Sequence, residues 1–163
     1  MAVDMFLTLE NVKGETKDKE YKSKNAMDIL AYSWGMSQSG TFHAGGGGGA
    51  GKANFQDISV TKWVDSASSV LMTFCAKGTH IPKGKLVVRK AGDKPLEYII
   101  YELEQIMVTS VSTGGSGGED RLTENVTFNF AKVKHVYWPQ DEKGGKGPAS
   151  VDFVFDIAAN TAE

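Results

Sequence analysis

Apolar and polar residues alternate with a two-residue period through most of this chain, the pattern of strands that bury one face. Met5-Phe6-Leu7-Thr8-Leu9 opens a first strand, and Asn11-Val12-Lys13-Gly14 reads as its turn. The segment from Glu15 to Lys24 is charged and is expected to be solvated. A second strand is expected from about Ala26 to Met36. Its bulky Leu30, Tyr32, Trp34 and Met36 point to the core, and the small Ala31, Ser33 and Gly35 between them leave a nearly bare outer side. Phe55, Ile58, Val60 and Trp63 resume a strand-like stretch of mixed periodicity. Leu86–Lys90, Leu96–Leu103 with Ile106–Val111, Glu124–Lys132 with a continuation to Trp138, and Val151–Ile157 supply the rest. In Glu124–Lys132 the alternation is clean, with Val126, Phe128 and Phe130 on one side and Thr127, Asn129 and Ala131 on the other.

One segment has a different period. Ala67, Val70, Leu71, Phe74 and Cys75 fall at helical spacing, Asp65 or Ser66 can cap the start, and Gly78 supplies the stop. About eight strands and one helix predict a mainly β fold: an antiparallel barrel or sandwich of two sheets with one short α-helix on the side. Two glycine-rich loops interrupt it, one around Gly45, Gly46, Gly47, Gly48, Gly49 and Gly51, the other at Gly114, Gly115, Ser116, Gly117 and Gly118. Strand patterns lie on both sides of each, so neither reads as a linker, and residues 1–163 are expected to form a single domain.

Composition narrows the function. With 163 residues, 40% hydrophobic and 23% charged, the chain is of ordinary globular make-up, and its net charge of −2 offers no basic surplus for nucleic acid. No apolar run approaches the ~20 residues that span a bilayer, so no membrane insertion is expected. The start, Met-Ala-Val-Asp-Met-Phe-Leu, lacks the layout of a signal peptide, which implies folding in the cytoplasm. The one cysteine, Cys75, sits in an apolar stretch and reads as a small core residue. His43, His80 and His135 stand apart, without metal-ligand spacing.

Two catalytic motifs are matched in letters only. Gly46 to Ala53 nearly spells a nucleotide-binding P-loop, but Ala53 stands where a hydroxyl must reach Mg²⁺, and the residues after it look extended. Gly114-Gly115-Ser116-Gly117-Gly118 matches a nucleophile elbow, which needs a helix to follow, whereas a strand follows here. No catalytic, cofactor-binding or metal-binding residues are therefore assigned. The alternative to an assembly role is a monomeric β-sandwich ligand-binding module using Trp34, Trp63 and Trp138.

Trp34-Gly35, the glycine loop at 45–51, the stretch Ile58-Ser59-Val60-Thr61-Lys62 leading to the Asp65 cap, and above all the run from Ser112 to Thr127 resemble the haemolysin-coregulated protein (Hcp) family. The resemblance covers nearly the whole chain. It implies a non-enzymatic tube subunit of the type VI secretion system. Homo-hexameric rings would stack into a tube that holds effector proteins in its lumen, is capped by a spike protein and is driven out by a contractile sheath. Export by that machine would suit a cytoplasmic protein without a signal peptide. On this view Ala31, Ser33 and Gly35 line the bore, or else pack under another strand or subunit. The glycine loops either make contacts between subunits or are merely flexible.

Overall fold

The computed structural model describes residues 2–43 and 51–162. Ten strands and one α-helix are present among them: β1 Val3–Leu9, β2 Met27–Ser33, β3 Met36–Gln38, β4 Ala53–Phe55, β5 Ile58–Trp63, α1 Ser68–Lys77, β6 His80–Lys90, β7 Leu96–Thr113, β8 Thr123–Tyr137, β9 Val151–Asp156 and β10 Thr161–Ala162. Eight strands form one antiparallel sheet in the order β10-β9-β8-β5-β2-β1-β6-β7, and β7 pairs again with β8. That last pairing closes β8, β5, β2, β1, β6 and β7 into a barrel and leaves β9 and β10 as an extension. Closure gives each of the six strands a partner on both sides over part of its length, while β7 beyond Met107 and β2 beyond Ile29 pair on one side only. β3 and β4 form a separate two-stranded sheet at the base of the first glycine loop.

The barrel interior is filled by the inward side of each strand, including Leu7, Met27, Val60, Leu86, Ile106, Phe128 and Val133, each at most 2% exposed. Helix α1 adds Leu71 to this core and packs Val70, Phe74 and Cys75 against it. Truncating a side chain so placed costs about 2–5 kcal/mol. The helix ends as expected: Gly78, at φ +65°, takes the left-handed conformation and its N–H bonds to the Phe74 carbonyl. At the other end the Asp65 carboxylate accepts from the Ala67 N–H at 2.9 Å, while Ser66 instead donates to the Lys13 carbonyl.

Three expectations need correction. Leu30 and Met36 were expected to face the core, but they are 39% and 46% exposed. A bulge between Ile29 and Ala31 inserts an extra residue, so the inward phase moves from Met27 and Ile29 to Tyr32 and Trp34. Met36 belongs to the separate hairpin. The segment 15–24 is not wholly solvated. Tyr21 is 2% exposed and stacks on Phe6 with ring centroids 4.2 Å apart, and Arg89 lies over Phe6 while pairing with Asp4, Asp18 and Glu20. Phe6 and Val87 form a second apolar cluster with Tyr21 and Ala26, and Ile100 packs against it. The segment folds over them because they would otherwise face water. Finally, the stretch from Phe55 to Trp63 is two strands, and Lys62 rather than Trp63 is buried.

A crease crosses the sheet. Core-facing positions step by three residues instead of two on adjacent strands: Ile81 to Gly84 on β6, Leu103 to Ile106 on β7, Phe130 to Val133 on β8. The two ends of each step are in register. Gln105, at φ +53°, absorbs the extra residue on β7.

Candidate functional site: an uncharged sheet face

On one side of the crease the outward residues of β2, β5, β8 and β7 lie in two register rows. One runs Ser33, Ser59, Thr127, Ser110; the next runs Ala31, Thr61, Asn125, Ser112. Every member is small, and none carries a charge. The alternation that sends Val60 and Val126 inward sends these outward. The two expected bore residues on β2, Ala31 and Ser33, are thus brought beside hydroxyl and amide residues from three other strands. Gly35 is not with them. It lies past the end of β2, its carbonyl accepts from the Gln56 N–H at 2.9 Å, and an added Cβ would sit 3.1 Å from the Gln56 Oε1.

The hydroxyls bond to one another in a fixed direction. Thr109 Oγ1 donates to Asp57 Oδ2 at 2.7 Å and has no second proton to give. Its 2.7 Å contact with Thr127 Oγ1 is therefore donated by Thr127, and the 2.6 Å contact between Thr127 and Ser110 is donated by Ser110. Asn129 Nδ2 also donates to Asp57, at 3.3 Å, and Thr61 donates to Asn125 Oδ1 at 2.7 Å. Asp57 is the charged partner of this network, and its carboxylate is occupied. Among the described residues no histidine is hydrogen-bonded to these hydroxyls, which are held by Asp57, Asn125 and one another. What the face offers a neighbour is low bulk, lone pairs and the hydroxyls of Ser33, Ser59 and Ser112.

The second glycine loop borders the same face. A hollow of about 380 Å³ is lined by Ser112, Gly114, Gly115, Ser116, Glu119 and Asn125, among others. An added Cβ at Gly115 would strike the Leu122 side chain, whereas at Gly114 and Gly117 it would meet open space; Gly118 N–H bonds to Ser116 Oγ at 3.4 Å. Gly45, Gly46, Gly47, Gly48 and Gly49 lie outside the described residues. Gly51 packs closely, with an added Cβ only 2.7 Å from the Gly40 amide nitrogen. Lys52 leads into strand β4, not a helix, and β8 begins shortly after Gly118. Neither motif match therefore has the structural setting its chemistry needs. Among the described residues, no three His, Cys, Asp or Glu side chains are placed to hold a metal ion. Among the described residues, no helix is long and apolar enough to cross a membrane.

Behind the face lies a group that sequence reasoning missed. Lys62 and Glu124 sit opposite one another on β5 and β8, fully buried, with Nζ to Oε1 at 2.6 Å. Asp65 accepts from the same Nζ at 2.8 Å, and Ser68 donates to Glu124 at 2.6 Å. The signal was present: Lys62 continues the inward series Ile58, Val60, and Glu124 begins the series Val126, Phe128, Phe130. The cluster ties the start of α1 to the β5–β8 register.

Fold and site together define a closed β-barrel whose distinctive surface is an uncharged, small-residue sheet face. A family model described as type VI secretion system effector, Hcp, matches residues 6–137, and the chain belongs to that family. Hcp1 of Pseudomonas aeruginosa is 54% identical over 161 residues, 98% of each chain. Two solved structures share the fold across almost the whole chain. A type six secretion system protein matches with TM-score 0.90 at 31% identity, covering 99% of this chain and all of its own. Hcp1 of Salmonella typhimurium matches with TM-score 0.81 at 35% identity, covering all of both chains. The family is one of structural, secreted type VI proteins and not a family of enzymes.

Proposed function

We propose that this chain is the tube subunit of a type VI secretion machine, closing into homo-hexameric rings that stack, with the uncharged face of β2, β5, β8 and β7 lining the bore. The carrying observation is that face: two rows of small, neutral residues drawn from four strands, in a chain of which 23% is charged. A face that must let folded cargo lie against it and later leave is served by small neutral groups, three of whose hydroxyls, on Thr61, Ser110 and Thr127, are already engaged. The Gly114–Gly118 loop, at the end of this face, and the first glycine loop make the contacts between subunits or rings. Spike, sheath and effector proteins are the remaining partners, and the protein waits in the cytoplasm before the machine exports it.

Absolute mass by light scattering, with negative-stain imaging of the same peak, tests the ring. Six chains of 17.6 kDa give about 106 kDa, and annular particles are expected at that mass. A 17.6 kDa monomer over a wide concentration range would overturn the reading and favour a ligand-binding module. Ser33→Gln places bulk on the bore without touching the core; rings should persist while cargo retention falls. Loss of the rings instead would remove Ser33 from the bore.

A further inference from the structure

Across the crease from the uncharged face, the same sheet carries a charged wall. One register row reads Lys83, Glu104, Lys132, Asp156 on β6, β7, β8 and β9; the next reads Lys85, Glu102, Lys134, Val154. Each strand therefore presents one sign, in the order plus, minus, plus, minus. Directly opposed charges of opposite sign would be expected to pair. Among the described residues, however, the side chains of Lys83, Lys85, Glu102, Glu104 and Lys134 make neither an ion pair nor a hydrogen bond. Two adjoining hollows of about 720 and 300 Å³ share Glu102 and Glu104 and keep these groups reachable.

The order of signs is antisymmetric about its centre, and this selects a partner. Rotate a second copy by half a turn about an axis lying along the strands, midway between β7 and β8, and place it face to face. β7 then meets β8 of the other copy, minus on plus, and β6 meets β9, plus on minus. Lys83 faces Asp156, Glu104 faces Lys132 and Glu102 faces Lys134, each contact occurring twice. An axis across the strands would instead set β6 on β6 and repel.

We propose that this wall is a self-complementary contact for a second copy of the chain, in the two-fold arrangement just described. It is distinct from the head-to-tail contact that a ring repeats. Four strands about 4.8 Å apart and two rows about 7 Å apart make a patch well below the roughly 800 Å² per partner of a stable interface. The contact is therefore weak for one pair, is strengthened when several copies are held in one assembly, and is screened by salt.

Sedimentation velocity of the full chain tests it, comparing about 20 mM with about 500 mM salt, where screening lengths differ several-fold. At low salt a species of twice the mass present at high salt is expected. Glu102→Lys with Glu104→Lys makes β7 positive; Lys132→Glu with Lys134→Glu makes β8 negative. Each double variant alone should lose the doubling, since β7 then meets β8 with like charge. Mixed together they should regain it, because all four facing columns are again opposite in sign. A change of fold within either variant would not produce that recovery. Should a reversal variant fail to fold, Glu102→Gln with Glu104→Gln replaces it and should weaken the doubling. The proposal is overturned if the parent shows no doubling at low salt, if either folded variant doubles as the parent does, or if the mixture stays single.

Discussion

Lys62 and Glu124 show what a single buried charge does to this protein. Each is desolvated, and each is tolerable because the other is 2.6 Å away, with Asp65 and Ser68 taking up further valences. Glu124→Gln should cost about 3–5 kcal/mol in urea unfolding, by leaving the Lys62 charge undercompensated. Joint replacement by Lys62→Met and Glu124→Leu should recover most of that loss, since an apolar pair has no desolvation to offset. Titrating residues make a second prediction. The hydrogen bond from Arg89, first among its causes, holds the Asp18 carboxyl below its ordinary value of 3.8. Its contribution is full above that value and is lost as pH falls through the lower folded one. Burial beside Tyr101 likewise lowers the pKa of His135 from 6.5, so its contribution is present above 6.5 and is lost as pH falls through its lower folded value. Stability should thus decline in two steps on acidification. His135→Phe should flatten the upper step and Asp18→Asn the lower, each read as the pH dependence of the urea midpoint.

The long β7–β8 pair is one ribbon with two outer surfaces. Above the crease its outward residues are Ser110, Ser112, Asn125 and Thr127; below it they are Glu102, Glu104, Lys132 and Lys134. The crease runs through Gln105, whose φ of +53° is one a β-branched residue adopts poorly. Gln105→Val should destabilise by about 1–2 kcal/mol, while Gln105→Gly should be tolerated, as thermal or urea melts would show. The docked segment is a second element-scale device. An added Cβ at Gly14 would run into the Ala26 carbonyl group, which is backbone and cannot swing aside. Gly14→Ala should therefore loosen the cover over Phe6 and Val87, detectable as faster amide exchange across residues 14–26.

At the scale of the whole molecule, closure is the governing fact. The barrel order β8-β5-β2-β1-β6-β7 pairs β1 with β6, about 80 residues apart in the chain, as well as neighbours such as β7 and β8. Most of its contacts are non-local, so refolding should take milliseconds to seconds rather than microseconds, measurable by stopped-flow tryptophan fluorescence. Closure also sorts the surface. It gathers the neutral rows from β2, β5, β8 and β7 on one wall and leaves the charged columns of β6 to β9 on another.

Local backbone geometry made much of this legible in advance. The two-residue period marked the strands, the 3.6-residue period marked α1, Gly78 marked its end, and the Ser112–Thr127 run carried the family resemblance. Those features depend on a residue and its near neighbours, which a sequence displays directly. The tertiary structure alone decided the rest. It placed the bulge that turned Leu30 outward, the crease at Gln105, the folding of residues 15–24 over Phe6, and the burial of Lys62 against Glu124. It also set Ala31 and Ser33 beside Thr61, Thr127 and Ser110. Each of these depends on register between strands distant in sequence, and register is set by which faces can be buried together once the barrel closes.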